Sequence, residues 1–148
     1  MRNEKEFSTM KQKRILCVES NPDNGLMMSY LLRFSGYGCE CVDTSARGLQ
    51  SAKGRVFDLY LLDCWYEDGK GVELCKKIRE FDSTTPIIFF SAWAVKSAYR
   101  EAIEAGADAY IFKPALDELL RAITRHLTGV PDQPLSSTAS PQAAMLSV

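Results

Sequence analysis

The chain has 148 residues, of which 46% are apolar, so it is long enough for one globular domain whose core needs no disulfide or metal staple. Its net charge is −1 and its basic residues form no block or stripe, which argues against direct binding to nucleic acid. Residues 1–14 are charged, and no run reaches the ~18 apolar residues of a membrane span, so we expect a cytoplasmic chain without membrane contact.

Five strands are predicted, and each is followed by a helix. The strands are short runs rich in apolar residues, at positions 14–19, 39–43, 57–63, 86–92 and 109–114. The helices show apolar residues at helical spacing or a glycine stop, at positions 22–34, 45–54, 72–81, 93–106 and 116–127. A regular alternation of strand and helix is typical of an α/β fold with a parallel sheet.

The predicted sheet is buried on both faces, because most of its strands are apolar throughout. Right-handed crossovers then place helices on both sides, which gives a doubly wound (βα)5 arrangement. We expect this domain to span residues 13–128. Residues 1–12 are predicted to be a flexible extension, and residues 129–148, rich in proline and serine, a flexible tail or linker stub.

The five cysteines, an odd number without a C-x-x-C pair, indicate buried thiols and no disulfide framework. The chain has one histidine, His126, so a zinc site is not indicated either. Cys39 and Cys41 would lie on the same face of a strand. A soft metal bound there is the weaker alternative to simple burial, since no second ligand pair accompanies them.

Four polar side chains lie at or next to the ends of four of the predicted strands: Glu19, Asp63, Ser91 and Lys113. The carboxyl ends of parallel strands meet at one edge of the sheet, where open α/β sheets bind their ligands. Each residue alone is more simply explained as a helix cap or a solvated charge. Together, two acids, a hydroxyl and an ammonium fit phosphoryl transfer to an aspartate, with Asp63 as the nucleophile. Glu19 and Asp63 would then hold Mg²⁺ together with a main-chain carbonyl.

These residues carry a resemblance to the receiver domains of two-component response regulators. The matches are four short motifs: YLLD ending at Asp63, Gly71 before VEL, Ser91-Ala92 after IIFF, and Lys113-Pro114 in GADAYIFKP. The resemblance covers residues 13–128 and implies a flavodoxin-like sheet with strand order 2-1-3-4-5.

The resemblance implies that Asp63 accepts a phosphoryl group from a histidine kinase or a phosphotransfer protein. Lys113 and Ser91 would contact the phosphoryl oxygens, and Mg²⁺ would be held by Glu19, Asp63 and the main-chain carbonyl of Trp65. Such a domain is a signalling phosphoacceptor and not an enzyme, since it catalyses only its own phosphorylation and dephosphorylation.

The resemblance also implies a switch. In the family, the hydroxyl residue matched by Ser91 moves toward the phosphoryl group, and the aromatic residue matched by Tyr110 turns inward. The fourth helix, the fifth strand and the fifth helix then present a changed surface. A downstream protein is the expected partner of that surface, and a homodimer is a further candidate.

One departure from the family pattern concerns the metal site. Receivers usually carry two adjacent acids where this chain has Glu19 and Ser20, and the second acid is normally the direct metal ligand. Ser20 is therefore a candidate ligand by position only. Losing one charged ligand predicts Mg²⁺ binding that is weaker by about 1–3 kcal/mol, although the longer Glu19 side chain can recover part of this.

A second departure is the pair of tryptophans. Trp65 and Trp93 each lie two residues beyond a site residue, Asp63 and Ser91 respectively, and with Ala92 they flank the expected phosphoryl position. Two indoles there would crowd the path of an attacking water and slow dephosphorylation. The alternative, that both are ordinary half-buried loop side chains, is equally compatible with the sequence.

The sequence also bears on two other classes of function. A degenerate receiver that acts as a phosphorylation-independent docking module is favoured by Ser20 and opposed by the intact Asp63, Ser91 and Lys113. Enzymes are disfavoured, because a dehalogenase-type phosphatase needs an acid where Trp65 stands and no G-x-G-x-x-G or P-loop follows a strand. Ser-His-Asp chemistry would require His126, which lies far from any strand end.

Overall fold

A computed structural model describes residues 11–129, which form seven strands and five helices. The strands are β1 (Arg14–Val18), β2 (Gly38–Val42), β3 (Leu59–Leu62), β4 (Trp65–Tyr66), β5 (Gly69–Lys70), β6 (Ile87–Ser91) and β7 (Ala109–Phe112). The helices are α1 (Pro22–Phe34), α2 (Ser45–Gly54), α3 (Gly71–Arg79), α4 (Lys96–Glu104) and α5 (Leu116–Thr128). The predicted extension and tail lie almost wholly outside the described residues.

The main sheet has five parallel strands in the order β2-β1-β3-β6-β7. When these five are counted in chain order, this is the predicted order 2-1-3-4-5. The strands β4 and β5 pair with each other in a separate antiparallel hairpin between β3 and α3. The predicted flavodoxin-like, doubly wound fold is confirmed.

Two hydrophobic cores cover the two faces of the sheet. Successive strand side chains point to opposite faces, so Leu16 and Val18 lie in one core while Ile15 and Cys17 lie in the other. The first core also contains side chains from α2, α3 and α4, and the second contains side chains from α1 and α5. Within residues 11–129, no helix is long and apolar enough to cross a membrane.

Side chains at the helix starts fix the loops around the sheet edge. The Asn21 side chain accepts hydrogen bonds from two amides in the first turn of α1. Thr44 caps α2 in the same way. The carboxylate of Asp68, in the turn of the hairpin, accepts hydrogen bonds from the amides of Ser45 and Ala46 at 2.8 and 2.9 Å. The hairpin is thereby tied to the start of α2.

The structure departs from the sequence prediction at two places. The hairpin was not predicted, because strands of two residues are too short to show a period. The predicted start of the fourth helix at residue 93 is wrong, since α4 begins at Lys96 and residues 92–95 form a loop. One of the hydrogen bonds that hold this loop comes from Tyr110, which is distant in sequence, so local patterns do not reveal it.

Gly71 begins α3 directly against the end of β3. A Cβ added there would collide with the main-chain oxygen of Asp63 and would lie 2.8 Å from the ring of Phe89. We expect Gly71→Ala to lower the free energy of unfolding by about 1–3 kcal/mol, because neither neighbour can retreat without moving a buried strand. Urea denaturation measures this loss. Gly54→Ala is the control, since a Cβ there meets no atom within 4 Å, and an equal loss in both variants would contradict the packing argument.

Candidate functional site

Apart from tyrosines and cysteines, three polar side chains are buried in the described part of the chain, and all three lie at the carboxyl edge of the main sheet. Glu19, Asp63 and Ser91 expose only 4%, 9% and 2% of their surface. Glu19 follows β1, Asp63 follows β3, and Ser91 ends β6. Lys113 follows β7, and its amide donates a hydrogen bond to the Ser91 carbonyl at 2.9 Å. The sheet therefore brings the four predicted residues to one edge.

The Lys113 ammonium links the two acids. Its Nζ lies 2.8 Å from Glu19 Oε2 and 3.3 Å from Asp63 Oδ2. Burial raises the pKa of the Glu19 carboxyl, and the hydrogen bond from Lys113 opposes this only in part. Burial alone would lower the pKa of Lys113, but the two carboxylates outweigh it and raise that pKa. Two carboxylates and one ammonium leave the cluster with an excess negative charge.

The Asp63 carboxylate is held in one orientation. Its Oδ1 accepts a hydrogen bond from the Cys64 amide at 2.7 Å. Its Oδ2, which contacts Lys113, also accepts a hydrogen bond from the Ser20 hydroxyl at 3.2 Å. A carboxylate fixed by hydrogen bonds beside a cation at a sheet edge is suited to nucleophilic attack on a bound electrophile.

Tyr66 is a residue of the site that the sequence analysis missed. It lies on β4, is 7% exposed, and its hydroxyl accepts a hydrogen bond from the Asp63 amide at 2.8 Å. The same hydroxyl donates to the Val18 carbonyl at 3.0 Å. Burial raises the pKa of the Tyr66 phenol well above its usual range, so it remains a donor. In the sequence, the one signal that could have pointed to Tyr66 was the presence of an aromatic residue in a predicted turn.

Ser91 and Tyr110 hold the loop between β6 and α4. The Ser91 hydroxyl accepts a hydrogen bond from the Trp93 amide at 3.1 Å. Tyr110 is fully buried, its ring stacks on Phe89, and its hydroxyl donates a short hydrogen bond to the Trp93 carbonyl. The Tyr110 hydroxyl also lies 3.2 Å from the Cys64 sulfur. The two predicted switch residues thus bind the two main-chain polar groups of one loop residue.

Trp65 and Trp93 contact each other at the rim of the site. Each is 49% exposed, and their ring centroids are 6.0 Å apart in an edge-to-face arrangement. The Lys70 ammonium lies 5.2 Å from the Trp65 ring. Ala92, the third predicted flanking residue, is exposed in the loop after β6. The tryptophans are therefore half-exposed and mutually packed.

The donor atoms at the edge fit Mg²⁺, which prefers oxygen ligands and often uses only one or two carboxylates with several waters. Glu19 and Asp63 supply the carboxylates, and the Ser20 hydroxyl contacts Asp63. Across residues 11–129, no group of three or more histidine, cysteine or acidic side chains is arranged to hold a metal ion. Main-chain carbonyls and waters would have to complete the coordination.

The cysteines are free thiols. The sulfurs of Cys39 and Cys41 lie 3.8 Å apart on β2, and Cys41 contacts the Gly25 carbonyl of α1 at 3.2 Å. A hydrogen bond with Cys17, together with burial, raises the pKa of the Cys41 thiol to about 12. Within the described residues, no third histidine, cysteine or acidic side chain joins the pair to form a metal site.

Comparison with known proteins agrees with this geometry. The family model described as the response regulator receiver domain matches residues 15–125. The chain is 32% identical over 120 residues to response regulator ArlR of Staphylococcus epidermidis, and the match covers 80% of this chain and 54% of that protein. The chain is therefore similar to about half of that regulator's length.

Solved structures give the same result. A CheY-like receiver domain protein from Methanospirillum hungatei has 31% identity and a TM-score of 0.77, covering 80% of this chain and 96% of that one. The receiver domain of a sensor histidine kinase from Pseudomonas aeruginosa, which has a magnesium ion coordinated in its active-site cleft, has 28% identity and a TM-score of 0.73, covering 81% of this chain and 100% of that one. With its sheet order, edge cluster and family match, the chain belongs to the response regulator receiver domain family.

Proposed function

We propose that the chain is a phosphorelay receiver in which Asp63 is the phosphoacceptor. The observation that carries this proposal is the buried Asp63 carboxylate, whose Oδ2 contacts both the Lys113 ammonium and the Ser20 hydroxyl. A histidine kinase or a phosphotransfer protein is the proposed donor, as in the family to which the chain belongs.

The reaction is the transfer of a phosphoryl group from a donor imidazole to Asp63. An Asp63 carboxylate oxygen forms a bond to phosphorus while the bond between phosphorus and the ring nitrogen breaks. The electron pair of the broken bond leaves with the imidazole, which departs neutral after its other nitrogen has taken a proton from solvent. The product is an acyl phosphate on Asp63.

The neighbouring groups stabilise the transferred charge. Lys113 already contacts Asp63 Oδ2 and would bind a phosphoryl oxygen, and the Ser91 hydroxyl would bind another. Mg²⁺, held by Glu19, Asp63 and the main-chain carbonyl of Trp65, would neutralise negative charge on the phosphoryl group. Because Ser20 supplies no carboxylate, we propose that this ion binds weakly.

Phosphorylation would be transmitted through the loop that precedes α4. When the Ser91 hydroxyl turns to the phosphoryl group, the Trp93 amide loses its present partner while Tyr110 keeps the carbonyl of the same residue. The loop would then be released at the Trp93 amide and still be held at the Trp93 carbonyl. We propose that a downstream protein binds the surface of α4, β7 and α5 that this shift alters, with a second copy of the chain as the other candidate.

A docking module that works without phosphorylation is the second candidate function. It is favoured by the position of Tyr110, which is already fully buried with its hydroxyl bonded to the Trp93 carbonyl. A switch tyrosine held inward in the absence of a phosphoryl group would present the binding surface permanently. Ser20 favours this candidate as well, because it weakens the metal site.

Incubation with acetyl phosphate and Mg²⁺, followed by intact mass spectrometry, tests the phosphoacceptor proposal. We expect one phosphoryl group per chain, none on Asp63→Asn, and one on the control Asp117→Asn, since Asp117 is an exposed residue in the first turn of α5. Absence of the adduct from the unmodified chain, or its presence on Asp63→Asn, would contradict the proposal and favour the docking module.

Restoring the missing acid tests the weakened metal site. Ser20→Asp adds a carboxylate beside Asp63 and should tighten Mg²⁺ binding by about 10- to 100-fold, corresponding to ~1–3 kcal/mol for one charged ligand. Isothermal titration calorimetry gives both affinities. Ser20→Ala, which removes the hydroxyl but adds no charge, should not gain affinity. If the unmodified chain already binds Mg²⁺ with a submillimolar dissociation constant, Ser20 does not weaken the metal site.

The tryptophan pair should prolong the life of the acyl phosphate. Opening the rim with Trp65→Asn or Trp93→Glu is expected to speed dephosphorylation, because water then reaches the phosphorus more easily. The lifetime is measured after removal of the phosphodonor. Val56→Asn serves as the control, since Val56 is a large exposed apolar residue away from the rim. If the rim variants keep the original lifetime, the indoles are ordinary loop side chains.

A further inference from the structure

The Tyr66 hydroxyl joins the two strands that carry the acids. It accepts a hydrogen bond from the Asp63 amide at 2.8 Å and donates one to the Val18 carbonyl at 3.0 Å. The Asp63 amide also lies 3.2 Å from that carbonyl. A side-chain hydroxyl is therefore inserted beside the last ladder bond between β1 and β3, where the strands end.

The two main-chain groups that Tyr66 contacts belong to the backbone of the acids. The Val18 carbonyl is part of the peptide unit that continues into Glu19, and the amide is that of Asp63 itself. Both acids then leave the sheet one residue beyond their strands. One hydroxyl thus bridges the two main chains from which the carboxylates project.

The Tyr66 ring is held rigidly enough for this role. It is 7% exposed and lies on β4, which pairs with β5. The turn of that hairpin is fastened to α2 through the two hydrogen bonds accepted by Asp68. The hairpin pairing and its attachment to α2 therefore restrain the position of the Tyr66 hydroxyl.

We propose that Tyr66 is a positioning residue that sets the spacing of the Glu19 and Asp63 carboxylates and thereby the rate at which Asp63 accepts a phosphoryl group. This rests on the proposed function of Asp63. Tyr66 does not touch the reacting atoms, and it acts through the Asp63 amide. A small change in the position of a nucleophile is enough to cost a large factor in rate.

Tyr66→Phe removes the hydroxyl and keeps the packed ring. Tyr60→Phe is the matched control, because Tyr60 lies on β3, is 2% exposed, and donates its hydroxyl to Asp82 Oδ2 at 2.9 Å, away from the site. Each variant loses one tyrosine hydroxyl, which makes two hydrogen bonds in Tyr66 and one in Tyr60. Urea denaturation shows whether the two lose comparable stability.

The initial rate of phosphorylation by acetyl phosphate and the amide hydrogen exchange of Asp63 by NMR are then compared. We expect Tyr66→Phe to be phosphorylated about tenfold more slowly and to exchange its Asp63 amide faster, whereas Tyr60→Phe stays close to the unmodified chain in both. Equal slowing in both variants, or an unchanged rate in Tyr66→Phe, would overturn the positioning role while leaving the phosphoacceptor role intact.

The amide exchange separates this inference from the function on which it rests. If the unmodified chain takes up no phosphoryl group, the proposed function fails, and with it the effect of Tyr66 on rate. The exchange of the Asp63 amide still decides whether Tyr66 holds the main chain. Unchanged protection in Tyr66→Phe would overturn that claim too.

Discussion

The ammonium of Lys113, shared between two buried carboxylates, is the interaction on which the arrangement of this site depends. Glu19 and Asp63 repel each other and are both desolvated, so the sheet edge can hold them only beside a cation. Removing one partner from such a buried group typically lowers the free energy of unfolding by about 3–5 kcal/mol. The three charges follow β1, β3 and β7, which only a parallel sheet brings to one edge.

The same sheet explains what could be predicted from the sequence. The parallel sheet and the convergence of Glu19, Asp63, Ser91 and Lys113 follow from alternating elements and from the rule that parallel strands end together, whereas the strand order was implied by the resemblance to receiver domains. Tyr66 could not be found in this way, because its role depends on a hairpin of two-residue strands and on a hydrogen bond to β1. Long-range side-chain bonds to main-chain groups leave no periodic signal.

The loop of residues 92–95 lies between the site and the proposed docking surface. Ser91 holds the Trp93 amide and Tyr110 holds the Trp93 carbonyl, so a change at Ser91 alters one of two restraints on the segment that leads into α4. Cys64, whose amide contacts the Asp63 carboxylate and whose sulfur contacts Tyr110, adds a second connection. The site and the proposed docking surface are therefore physically continuous.

Intrinsic tryptophan fluorescence offers the most direct test of the central claim, that this edge binds a phosphoryl group on Asp63. Trp65 and Trp93 report on the site from its rim. The chain is titrated with Mg²⁺ and then with beryllofluoride, a phosphoryl mimic, alongside Asp63→Asn. We expect a saturable change that requires Asp63. An unchanged signal at millimolar Mg²⁺, with unshifted NMR amide peaks around Asp63, would contradict it.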